Sequence, residues 1–127
     1  MGETKTKINH FADLDVWRES HGLFPRILKD LERLPRSRAA NILIDQIVRS
    51  AGSVGANIAE GFNRSKARFV NALDIALGEL HELENWLYKV RDAGYLARAE
   101  VNNHVRDCVR LGKMLTSLSR SIRNRPG

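Results

Sequence analysis

Four histidines, a single cysteine and a run of small and hydroxyl residues are the groups in this chain whose types could do chemistry. A di-metal centre built into helices needs a Glu three residues before a His, so that both side chains reach one ion. The residues three before His10, His21, His81 and His104 are Lys7, Arg18, Gly78 and Val101, so that motif is absent. His81 has Glu82 and Glu84 nearby, but these project from different arcs of one helix, and a solvated histidine is the expectation. Cys108 falls on an apolar helical seam, where a small buried hydrophobe is expected rather than an activated nucleophile. One cysteine can close no internal disulfide and cannot hold a structural zinc alone, which favours a reducing, cytoplasmic setting. Gly52-Ser53-Val54-Gly55 has the glycines of a phosphate loop or nucleophile elbow, but lacks the lysine and the strand context those devices need. No catalytic residue, metal ligand or cofactor is therefore expected, and the reading is that of a protein that is not an enzyme.

Charge is the remaining chemistry. Of the formal net charge of +6, residues 98–127 alone carry +5. Arg106, Arg110, Lys113 and Arg120 share one side of a helical repeat there, and Arg123 and Arg125 extend the charge toward the C-terminus. Such a row would contact phosphates by releasing counterions, with little sequence preference and steep salt dependence. A solvated face that keeps the protein soluble is the competing reading. Aromatic residues do not interleave with these cations, so stacking on single strands is not indicated.

The elements that must position these groups are helical throughout. Aromatics make up only 6% of the 127 residues and prolines number three, a composition that favours helix over sheet in one domain. The first ten residues, MGETKTKINH, lack the apolar core of a signal peptide, and no run is long and apolar enough for a membrane span. Residues 1–12 read as a flexible arm, 13–123 as the folded unit and 124–127 as a basic tail. A first helix is expected from a cap at Asp13 or Asp15, with a seam of Leu14, Trp17, His21, Phe24, Leu28 and Leu31 and a kink or break at Pro25. A second should run from a turn at Pro35 to Glu60, with Gly61 as its C-terminal stop. Ser65 should cap a third, ending at Gly94, whose seam is Phe69, Leu73, Ala76, Leu80, Leu83, Leu87 and Val90. A fourth should follow from Arg98 to Ile122 on Val101, Val105, Cys108, Leu111, Leu115, Leu118 and Ile122. Four amphipathic helices joined by short turns predict an all-α, antiparallel up-down-up-down four-helix bundle.

The second helix carries three arcs. Leu43, Ile44, Ile47, Ala51, Val54 and Ile58 make a core face. Gln46, Arg49, Ser50, Ser53, Asn57 and Glu60, with Arg64 in phase, make a polar stripe expected to act as a structural hydrogen-bond network. Gly52, Gly55, Ala56 and Ala59 make a third arc, where missing bulk would let another helix approach. Together with Ile75 and Trp86 of the third helix, Gly52, Ala56 and Ala59 are expected to form an oligomer interface.

The segments FADLDVWRESHGL, QIVRSAGSVGANIAEGFNR, FVNALDIALGELHELENWL and AGYL resemble the four-helix-bundle proteins encoded in intervening sequences of bacterial large-subunit ribosomal RNA genes. The most specific part is Ser53, Asn57, Ile58, Ala59, Glu60, Gly61 and Arg64, in the pattern S-x-x-x-N-I-A-E-G-x-x-R. Accessory proteins of diversity-generating retroelements share this family shape. The resemblance implies a homopentamer with a basic surface, and a partner that is nucleic acid, RNA or DNA, or a reverse transcriptase. The departure here is at Gly52 and Gly55, where larger residues are more usual. A nucleic-acid-binding oligomer using Arg106, Arg110, Lys113, Arg120 and Arg123 is the first expectation. A protein-interaction scaffold or reverse-transcriptase accessory subunit, with charge serving only solubility, is the alternative.

Overall fold

The computed structural model describes residues 7–126, so the outer part of the N-terminal arm, residues 1–6, and the last residue of the tail lie outside it. A 3-10 turn, Phe11–Asp13, leads into helices α1 (Asp15–Leu31), α2 (Arg38–Gly61), α3 (Lys66–Asp92) and α4 (Arg98–Arg123). The chain is an all-α bundle in which α2 packs on α1 and α3, and α4 packs on α3 and α1, while no Cα atoms of the diagonal pairs come within 8 Å of each other. Ser37 caps α2 by accepting from the Ala40 amide, and Ser65 caps α3 by accepting from the Arg68 amide. Gly94, at φ +82°, supplies the left-handed residue that turns the chain after α3.

At the start of the bundle Asp13 does not cap α1. Its carboxylate instead accepts from the amides of Asn9 and His10, which together with Arg18 hold it below the usual carboxylate range. Leu14 occupies the N-cap of α1 without a side-chain bond. The expected boundary at residue 12 thus falls inside a turn whose Phe11 ring packs edge-on against Trp17, 5.2 Å between centroids.

The core face of α1 lies about one residue out of phase with the expected seam. Val16, Ser20, Leu23, Ile27 and Leu31 are buried, whereas Trp17, Phe24 and Leu28 are half-buried and His21 is exposed, stacked on Trp17 at 4.5 Å. α1 also runs unbroken through Pro25, which is exposed. The large rings flank the core because α2 offers room there. A Cβ on Gly55 would lie 3.1 Å from Ser20 Oγ and 3.6 Å from Trp17 Nε1, and one on Gly52 would lie 3.6 Å from Phe24. Gly55 therefore admits α1 of its own chain.

Gly61 ends α2 at the expected residue but for a different reason. It is not left-handed; the positive φ belongs to Asn63, at 62°. A Cβ on Gly61 would lie 2.3 Å from the Cβ of Ala72, so the residue is small because α3 crosses there. Ala72, which is not among the residues of the expected α3 seam, is accordingly buried.

Candidate nucleic-acid interface

α4 presents two faces set by its 3.6-residue period. Val101, Val105, Cys108, Leu111, Leu115 and Ile122 are buried against the other helices, and His104 and Ser119 are buried with them. Arg106, Arg110, Lys113, Arg120 and Arg123 are all exposed. From Arg106 to Arg120 the row extends about 21 Å along the helix axis, at 1.5 Å per residue.

These five cations differ in what they already hold. Arg110 grips Glu19 of α1 through two bonds, 2.8 and 3.2 Å, and lies 3.6 Å from Asp107. The Glu19 carboxylate, seconded by Asp107, keeps the Arg110 guanidinium more firmly protonated. Arg123 pairs with Asp74 of α3 at 3.2 Å. Among the described residues Arg106, Lys113 and Arg120 enter no ion pair. Lys113 and Arg120 edge an open groove of about 470 Å³ between α3 and α4, floored by Leu77, Val109 and Gly112.

The polar stripe of α2 divides into two behaviours. Arg49 binds Glu82 of α3 closely, reaches Glu79 at 3.3 Å and meets Gln46 at 3.3 Å, while Trp86 Nε1 donates to the same Glu82 at 3.1 Å. Gln46, Arg49, Glu79, Glu82 and Trp86 thus form one linked cluster across the α2–α3 seam. Ser50, Ser53 and Asn57 instead donate to carbonyls of their own helix, and Glu60 and Arg64 are exposed. Gly52 and Ala56 face outward, Ala59 is half-buried, and Ile75 is 44% exposed. The antiparallel register set by Arg49–Glu79 and Gly61–Ala72 puts Ile75 at about the level of Ala56 along the bundle.

A contact that periodicity did not reveal joins α1 to α4. His104 Nε2 lies 2.6 Å from Asp30 Oδ2, with the histidine side chain 9% exposed. It is one rung of a ladder that also holds Glu19–Arg110, Arg26–Asp107 at 3.5 Å and the close pair Arg33–Glu100. The available signal was the position of His104 itself, three residues from Val101 and four from Cys108 on the core seam.

Burial pushes the Cys108 thiol up to about 12, with Glu84 and Asp107 adding in the same direction. Alkylation by iodoacetamide at mildly alkaline pH should therefore run at least about 100-fold slower in the folded protein than in urea. Equal rates would contradict the burial. The stability this raised thiol contributes is complete below the unfolded thiol's value and is lost as pH rises from there toward about 12, a slope that Cys108→Ala should remove. Among the described residues no group of three His, Cys, Asp or Glu side chains could hold a metal, and no helix is long and apolar enough to cross a membrane.

Residues 12–117 match the model of the 23S rRNA-intervening sequence protein family. The chain belongs to this family. A protein of similar shape has been solved: a protein of unknown function from the S23 ribosomal protein family of Bacteroides thetaiotaomicron VPI-5482. It is 32% identical to this chain, with a TM-score of 0.75 over 82% of this chain and 97% of its own. No curated protein matches the chain. The matched region takes in α1, α2 and α3 and most of α4, including Arg106, Arg110 and Lys113. Arg120 and Arg123 lie beyond it.

Proposed function

We propose that this intervening-sequence protein is a non-enzymatic, self-associating bundle that binds nucleic acid through the cationic face of α4, with little preference for sequence. The observation that carries the reading is the row Arg106, Lys113 and Arg120, exposed and without carboxylate partners among the described residues. Arg110 and Arg123 join it by exchanging exposed intrachain pairs for phosphates, since such pairs add little to stability. A row of exposed cations meets the phosphate backbone at every register, so affinity comes from backbone charge.

Self-association uses the outward side of α2 and α3, where Gly52, Ala56 and Ile75 are exposed, with Ile42 51% exposed further along α2. Static light scattering at micromolar concentration should report an oligomer, five copies being the number the family resemblance suggests. A monomer there would remove this part of the reading.

Binding is tested by titrating labelled hairpin RNA and duplex DNA at several salt concentrations. Three phosphate contacts give a slope of log affinity on log salt of about −2.7, or roughly 40-fold weaker binding between about 50 and 200 mM. Reversing Arg106, Lys113 and Arg120 to Glu should abolish that dependence. Affinity unchanged by the reversal would leave these cations to solubility alone, and a protein partner retained after nuclease treatment would then favour a scaffold.

A further inference from the structure

The turn after α2 and the end of α4 meet at one end of the bundle, where Lys66 Nζ donates to the Arg125 carbonyl oxygen. That contact gathers cations from two segments far apart in sequence: Arg64, Lys66 and Arg68 from one, Arg123 and Arg125 from the other. Arg64, Arg68 and Arg125 are exposed and enter no ion pair among the described residues. The carboxylates these neighbouring segments carry are Glu60, in the last turn of α2, and Asp74, which Arg123 occupies. Asn63, at φ 62°, turns the chain between α2 and α3 beside the exposed Arg64.

Local helix energetics do not ask for this pattern. The first turn of α3 contains no acidic residue and instead holds Lys66 and Arg68, although the positive end of a helix dipole favours anions. The aromatic rings of these two segments are committed to each other. Phe62 and Phe69 are half-buried and pack edge to face at 6.1 Å, so neither segment offers an exposed ring to stack on an unpaired base. Cations on and beside helix ends, without a stacking platform, fit the regularly spaced phosphates of a double helix.

We infer that this end of the bundle, Arg64, Lys66, Arg68 and Arg125, is a second phosphate-contact surface, continuous through Arg120 and Arg123 with the α4 row, and that the ligand is duplex nucleic acid lying across that corner. The inference rests on the nucleic-acid reading above. Its test is fluorescence anisotropy with the full chain, using an RNA hairpin with a two-turn stem and an unstructured single strand of equal phosphate number. Arg64→Glu/Arg68→Glu/Arg125→Glu is compared with Arg106→Glu/Lys113→Glu. The neutral triple Arg64→Gln/Arg68→Gln/Arg125→Gln, with helical content and melting matched to wild type, separates binding from folding.

The end triple should bind the hairpin at least about tenfold more weakly at about 100 mM salt, with a shallower salt slope, and the neutral triple should fall between it and wild type. Wild-type affinity in the end triple, with loss in the α4 pair, overturns the inference and leaves the α4 reading standing. Wild-type protein that binds neither probe overturns both. A single strand bound as tightly as the hairpin overturns the duplex assignment.

Discussion

Replacing Gly61 with alanine is expected to destabilise the protein by about 3 kcal/mol, the upper part of the range for forcing bulk into a packed contact. The added Cβ would stand 2.3 Å from the Ala72 Cβ, an atom fixed to the α3 backbone that cannot swing aside. Relief requires α2 and α3 to separate by more than an ångström where Phe62 and Phe69 also pack. A flexible neighbour would give way cheaply, and here there is none. Denaturant unfolding measures the loss, and Ala72→Gly in the same chain should recover most of it, leaving about 1 kcal/mol for a glycine inside a helix. A Gly61→Ala protein with an unchanged midpoint, or one that Ala72→Gly does not rescue, would show that the crossing is not this tight.

Asp30→Ala should cost about 2 kcal/mol, because it strands a buried imidazole rather than merely deleting a surface charge. The Asp30 carboxylate accepts from His104 Nε2, and the histidine side chain, 9% exposed, has little access to water in compensation. Asp30→Asn keeps an acceptor at the same place and should cost less than half as much. Replacing both partners by leucine should cost less than Asp30→Ala, since no polar group is then stranded. If the alanine variant melts with wild type, the pair contributes nothing and the ladder between α1 and α4 is incidental.

The fold was legible where one periodicity has one interpretation. α3 and α4 carry one apolar seam each, and the residues on those seams are buried, apart from half-buried Phe69 and Leu118, with Ala72, His104 and Ser119 buried beside them. α1 was misphased because apolar residues occupy a wide arc, and its most conspicuous members are the flanking rings Trp17 and Phe24. Their position depends on Gly55 and Gly52 of another helix, which periodicity within α1 does not contain. Gly61 stood at the right place in the sequence, but its cause lies in Ala72, eleven residues away. Rows of charge were equally legible and their partners were not: Arg110 looks like Arg106 until Glu19 is seen across from it. The cations at the end of the bundle were hidden by addition, because Lys66 and Arg68 share a helix with Asp74, Glu79, Glu82 and Glu84, and the sum over that helix is slightly acidic.

The ladder between α1 and α4 has a further consequence for how the chain is made. Every other helix pair in contact consists of sequence neighbours, so each can dock as soon as the second member leaves the ribosome. The α1–α4 seam must wait for the last quarter of the chain, its rungs joining residues as far as 91 positions apart. The outer edge of α1 and the turn after it carry Glu19, Arg26, Asp30 and Arg33, groups that water can solvate in the meantime. The unfinished protein therefore keeps a wettable rim along its open side until α4 arrives to close it.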